Sequence, residues 1–262
     1  MDWTALNAGG DWMALPAGFI IATLATLVGF GGGILWMPYL ILVARLEPAQ
    51  AVVTSLVIQV GGMGSGSVAV IRAKKADLLL SFYLAACAFL GVPIGVWLSR
   101  LVSADSIVFL LGALSLAMAL VFVYARDDFD DTLLKRVSLR QTAPYLWLST
   151  VFAVLTGLLS MGVGDFLVPI LRNRLRLNME SAMAACLIVM AMNAALAAIL
   201  HLMIGERFAT GIVLWAIPGV IIGGQVGPRL AGRIPDQTLK EIFIYGLSLA
   251  GIHMMFNMPG SH

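Results

Sequence analysis

The sequence predicts an all-α integral membrane protein of two five-segment inverted repeats. It has about ten membrane segments, with helices interrupted at glycine motifs. Three observations lead there. First, the chain is 60% hydrophobic and only 11% charged, with a mean hydropathy of +0.96. Soluble domains carry about 25% charged residues, and 262 residues cannot cover this much apolar surface in water. Second, Gly29-Phe30-Gly31-Gly32-Gly33 leading to Pro38 returns as Gly162-Val163-Gly164-Asp165 leading to Pro169. Gly31, Gly33 and Pro38 all move by 131 positions onto Gly162, Gly164 and Pro169. Third, 13 of the 16 Lys and Arg residues fall on one side if each half crosses the membrane five times. Five is odd, so the second half runs inverted, and the basic loops face the cytoplasm with both termini outside.

Apolar stretches run at 13–28, 49–71, 78–99, 106–125, 144–160, 182–204, 209–228 and 242–258. Asp2 and Asp11 precede the first, with no basic residue before it, so it reads as a first transmembrane segment and not as a cleaved signal. A helix over 49–71 reaches roughly 34 Å, enough for the hydrocarbon core. Shorter apolar stretches at 34–44 and 165–171 follow the two motifs. Each completes a crossing as half of a broken element; two re-entrant loops with eight full spans are the alternative topology. The basic clusters are Arg72, Lys74 and Lys75; Arg126, Lys135, Arg136 and Arg140; Arg172, Arg174 and Arg176; and Arg229, Arg233 and Lys240. The division is a membrane repeat over 1–125, a cytoplasmic linker over 126–143 and a second repeat over 144–262.

Gly31, Gly32 and Gly33 let the backbone turn sharply and another group approach it. A helix starting there leaves amide donors for a negative ligand. Gly162 and Gly164 offer the same from the other half. Pro38 and Pro169 shorten or bend the helices that follow. Thr54, Ser55 and Gln59 add hydrogen-bonding groups in the next span, with Ser55 and Gln59 on one face. Their repeat mates are Ala185, Cys186 and Met190, so the halves differ chemically. Asn193 is a further polar group in the matching span. Asp165 is a carboxylate inside an apolar context, which is expensive and marks a coupling residue or a helix cap. The spacings Gly91-x-x-x-Gly95-x-x-x-Ser99 and Gly219-x-x-x-Gly223-x-x-x-Gly227 read as packing seams, with Gln225 beside the second.

Several functions are excluded. No Gly-Lys-Ser/Thr follows the glycine cluster, so no nucleotide loop is present. Cys87 and Cys186 lie in apolar runs and suggest no disulfide framework. His201, His253 and His262 form no metal-site spacing, and no nucleophile–base pair stands out. No metal, cofactor or nucleic-acid partner is expected, and the chain is not expected to be an enzyme.

The run from Gly29 through Gly31-Gly32-Gly33-Ile34-Leu35-Trp36-Met37 to Pro38, with Ala51, Thr54 and Ser55 downstream, resembles the TauE/SafE family of anion exporters. Gly162 to Pro169, with Ala182 downstream, is similar to that family's second half. The resemblance covers about 14–258. It implies a multi-pass permease of a bacterial or archaeal plasma membrane (the inner membrane if Gram-negative). The implied function is export of sulfite, sulfoacetate or a related sulfonate by alternating access. An importer or channel for a similar anion is the alternative. Substrate contacts carry over onto Gly31, Gly32, Gly33, Gly162 and Gly164, with helix breaks at Pro38 and Pro169. Asp165 stands where that pattern more often has glycine. The expected partners are a small sulfur-containing anion and membrane lipid. Coupling to a proton or sodium ion is left open, and a homodimer is compatible with the small-residue and aromatic faces.

Overall fold

A computed structural model describes residues 11–28, 32–124, 139–162, 164, 166–168, 171, 175–177, 179–230 and 236–256. Gly31, Asp165, Pro169 and linker residues 126–138 lie outside them. The described residues are all-helical. The helices are α1 (Ala14–Val28), α2 (Gly33–Pro38), α3 (Pro48–Arg72), α4 (Leu78–Ser99) and α5 (Ala104–Tyr124). They continue with the single turn α6 (Leu139–Thr142), α7 (Leu146–Leu159), α8 (Met179–Met203), α9 (Thr210–Leu230) and α10 (Asp236–Phe256).

Five helices contain stretches long and apolar enough to cross a membrane: Pro48–Arg72, Leu78–Ser99, Ala104–Val121, Ser181–Met203 and Thr210–Gly227. Four shorter apolar helical segments accompany them: Asp11–Leu27, Gly33–Val43, Ala143–Leu159 and Ile244–Phe256. At 15 and 14 residues, α1 and α7 reach only about 22 Å, short of a hydrocarbon core of about 30 Å. Both stop where the glycine motifs begin.

Local chemistry sets these limits. Pro48 opens α3 at its first turn, where a missing N–H costs nothing. Asp77 caps α4 by accepting from the Leu80 N–H at 3.2 Å. Pro38 closes α2, and the chain passes into a π-helical turn over Tyr39–Val43. A proline cannot supply the next helical donor, so a break there is the expected result.

The 131-residue offset extends well beyond the motifs. It carries Pro48–Arg72 onto Met179–Met203 residue for residue, and carries α1, α4 and α5 onto α7, α9 and α10 within one residue at each start. The packing obeys it too. α1 lies on α9 while α4 lies on α7; α3 packs on α9 while α4 packs on α8. The pairs α3–α8 and α5–α10 map onto themselves. Exchanging the halves therefore regenerates the main helix contacts, so α3 and α8 face each other at the centre.

The predicted seams are close backbone crossings. A side chain at Gly91 or Gly95 would strike the carbonyls of Thr150 or Val154 on α7. One at Gly219 would strike Leu15 on α1, and one at Gly223 would stand 2.5 Å from the Phe19 carbonyl. Small residues allow helix backbones to approach in this way. Ser149 and Thr150 tighten the α4–α7 seam by donating to the Leu84 and Cys87 carbonyls, each at 2.8 Å. The outer faces carry exposed Phe82, Leu90, Trp97, Leu249 and Phe256, a surface suited to lipid.

Candidate functional site

The first motif meets the end of α7 through one buried polar cluster. α3 places Ser55 and Gln59 one turn apart on its inner face, and Gln59 lies near the midpoint of this 25-residue helix. α7 ends at Ser160, which adopts a left-handed conformation (φ 60°) and donates its N–H to Thr156 O at 3.0 Å. That turn sends Ser160 toward α3. The two hydrogens of Gln59 Nε2 are shared among three acceptors: Ser160 Oγ at 2.6 Å, Ser160 O at 3.1 Å and Ser55 Oγ at 3.1 Å. The two hydroxyls lie 2.9 Å apart.

Gly33 closes the cluster from the third side. A Cβ there would collide with the Ser160 carbonyl oxygen and stand 3.0 Å from Gln59 Nε2. Gly32 faces Met63 and the Gln59 stem, and its carbonyl accepts from the Leu35 and Trp36 N–H groups as α2 starts. The first break is thus pressed against the residue two positions before Gly162.

The second break has a different cover. Gly162 has φ 142°, a conformation that requires glycine. Its carbonyl accepts from the Phe166 N–H at 3.2 Å, and Phe166 stacks on Phe152 of α7 at 4.9 Å between ring centres. Gly164 is sealed by the Met190 side chain. Met190 is the repeat mate of Gln59, just as Gly164 is the mate of Gly33. The same glycine–side chain contact therefore occurs twice, polar in one half and apolar in the other.

Asn193 lies one turn beyond Met190 on α8. It is fully buried, and neither its amide nitrogen nor its amide oxygen has a hydrogen-bond partner. An unpaired buried amide costs about 1–3 kcal/mol, so the residue opposes stability where it stands. Ser115 Oγ on α5 is similarly unpaired.

Thr54 is placed differently from its neighbours. Its hydroxyl donates to Gln50 O at 2.7 Å and accepts from the Ala209 N–H at 3.0 Å. It thereby caps the entry to α9 and joins that helix to α3. Gln225 is likewise held, donating to Ser65 O at 2.8 Å. Ser55, Gln59 and Gly33 are brought together, and Ser160, absent from the sequence-based set, completes them. Ser160 occupies the repeat position of Gly29, which is the signal that would have found it.

No Asp, Glu, Lys or Arg is buried among the described residues. The described part of the site is thus neutral and rich in donors: one amide, two hydroxyls and the Asn193 amide. Such a set can replace the water around a small anion without holding it as tightly as a buried cation would. No group of His, Cys, Asp and Glu capable of holding a metal is present among the described residues.

Comparison with known proteins agrees with this architecture. The chain is 22% identical over 261 residues to "Probable membrane transporter protein YunE" of Bacillus subtilis (strain 168), covering 91% of this chain and 95% of that one. It is 25% identical over 259 residues to "Probable membrane transporter protein" of Haemophilus influenzae (strain ATCC 51907 / DSM 11121 / KW20 / Rd), covering 98% and 100%. No solved structure matches it. Residues 14–254 match the family described as "Sulfite exporter TauE/SafE", and the chain belongs to that family as a multi-pass membrane transporter rather than an enzyme.

Proposed function

We propose that this protein is a secondary transporter that exports a small sulfur-containing anion, such as sulfite, sulfoacetate or a related sulfonate, across the plasma membrane. Its ten segments form two inverted repeats, 1–125 and 144–262, joined by a cytoplasmic linker over 126–143, with both termini outside. The anion binds at mid-membrane between the two breaks. Ser55, Gln59, Ser160 and Asn193 donate to it, while Gly31, Gly32, Gly33, Gly162 and Gly164 let the backbone come close. Pro38 and Pro169 keep the adjoining helices short, and Thr54 holds the α3–α9 joint. The inside-negative potential assists an anion's exit.

The observation that carries this reading is the Gln59 amide bridging α3 to Ser160 against Gly33. It supports a closed arrangement in which the donors satisfy one another. An entering anion takes over those donors as the halves rearrange. Asp165 at the second break is the sequence's candidate for a coupling carboxylate.

The test is a flux screen in vesicles holding the purified full-length chain. Sulfite, sulfoacetate, taurine, sulfate and simple carboxylates are offered in both orientations, with and without a pH gradient. Saturable movement of a sulfonate or sulfite against its gradient, lost in Gln59→Leu, is expected. Flux that never exceeds equilibrium would instead indicate a channel, and uptake favoured inward would indicate an importer. Unchanged pH dependence in Asp165→Asn would remove that residue's coupling role.

A further inference from the structure

The geometry points to a proton-binding site formed by His201 and Glu206, wired to the last turn of α7; its transport consequence rests on the reading above. His201 lies on α8, on the same face as Asn193 and two turns further along. It is fully buried and is the only histidine buried among the described residues. A buried ionisable side chain within a membrane segment is costly and usually serves function.

Both ring nitrogens face acceptors. Nε2 lies 2.8 Å from the Gly157 carbonyl oxygen, which can only accept. Nε2 therefore carries a hydrogen. Nδ1 lies 3.0 Å from Glu206 Oε2. With Nε2 protonated, Nδ1–H must donate to a carboxylate, or a protonated Glu206 must donate to a bare Nδ1. Either way one proton lies between them. If it leaves, two lone pairs confront each other and the contact opens.

Among the described residues the helices packed on α8 supply no buried substitute for that proton. α1, α3, α4 and α7 pack against α8. α1 and α7 have no titratable side chain, and α3 has Arg72 at its far end with the exposed Glu47 as its N-cap at the near end. α4 carries Tyr83 and Cys87, with Arg100 just past its end. Arg100 and Arg207 are exposed. Glu206 is 24% exposed, which gives the proton a route to water.

The site reaches the substrate cluster through a single helical turn. Gly157 O is one of the α7 carbonyls that the helix end leaves without an intrahelical donor, and a cationic ring is well placed there. Three residues later Ser160 binds Gln59. The last turn of α7 is thus held by His201 from α8 and by Gln59 from α3. The repeat mates of His201 and Gly157 are Val70 and Thr26, so this device exists in one half alone.

Two measurements on the full chain test it. Histidine ring ¹⁵N spectra assign His201 by its loss in His201→Gln and then compare its two ring nitrogens in the parent and in Glu206→Gln. The Nδ1 signal should move while Nε2, still donating to the Gly157 carbonyl, keeps its position; an unmoved Nδ1 overturns the shared proton. In vesicles, sulfoacetate accumulation should rise with an imposed pH gradient in the parent and in Asp165→Asn. Glu206→Gln should keep its basal flux and lose that response. A response kept in Glu206→Gln but lost in Asp165→Asn overturns the coupling role. If no variant moves any anion, the transport reading fails while the ring spectra still decide the proton site.

Discussion

Replacing Gly33 by alanine adds one methyl group at the tightest point of the site. Its Cβ would overlap the Ser160 carbonyl oxygen and lie 2.9 Å from the carbonyl carbon, so backbone has to move. Displacing the Ser160 backbone to make room also breaks its bonds, through O and Oγ, to Gln59 on α3. Overpacking costs about 1–3 kcal/mol and the two bonds roughly 1 kcal/mol each, giving about 3–5 kcal/mol. The control is the same substitution at Gly64 or Gly246, where the new methyl meets nothing within 4 Å. There alanine should stabilise the helix by about 0.5–1 kcal/mol. Thermal unfolding of the purified protein, beside sulfoacetate flux in vesicles, separates the cases. Gly33→Ala should fall on the order of 10 °C and lose flux, whereas Gly64→Ala should melt no lower than the parent. Equal melting and equal flux at positions 33 and 64 would show that the first glycine break does not press on Ser160.

Asn193→Leu removes an amide with no partner, so it should raise the melting temperature, worth about 1–3 kcal/mol, while reducing anion flux; unchanged flux would take Asn193 out of the substrate path. Ser115→Ala removes the other unpaired group and should leave flux intact. Thr54→Val deletes the cap on the Ala209 N–H and should cost about 1 kcal/mol in stability, with substrate affinity unchanged. Single cysteines at Lys74 and Arg176, both exposed, should be labelled from the same side of intact cells once Cys87 and Cys186 are replaced. Labelling from opposite sides would reject the ten-segment inverted arrangement.

Much of the scaffold could be read from the sequence because it rests on patterns that the chain states twice. A glycine needed for close approach leaves a visible gap in an apolar run. When Gly33 and Gly164 lie 131 residues apart, the spacing itself reports a repeat. The same spacing fixed the relation of α3 to α8, and the seams at Gly91 and Gly219 followed from small-residue periodicity. Ser160 was harder to see. Its role depends on a left-handed turn at the end of α7, and serine is not the residue usually found there. Thr54 was visible in the sequence by its polarity, whereas the Ala209 N–H that its hydroxyl accepts from lies 155 positions away. His201 shows the same difficulty: Glu206 is near in sequence, but Gly157, which fixes the proton count, is 44 residues distant.

The differences between the halves matter as much as their likeness. A protein with strict internal symmetry would present the same groups to a ligand from both sides of its centre. Here the mate of Gln59 is Met190, that of Ser55 is Cys186, and that of Asn193 is Gly62. Each polar group is thus opposed by a residue that offers little hydrogen bonding. The helices can therefore exchange roles as a framework while the donors do not. Gln59 holds Ser160, whereas its repeat mate Met190 has no polar hydrogen with which to form the equivalent bond. In the proposed alternating-access cycle the Gln59–Ser160 contacts, about 1–3 kcal/mol, favour the arrangement that contains them when no substrate is bound. Gln59→Met makes the two halves alike at this position. It should bring the two states closer in energy, which distance measurements between spin labels on α3 and α7 would detect as a second population; a single unchanged distance would show that Gln59 does not set the balance.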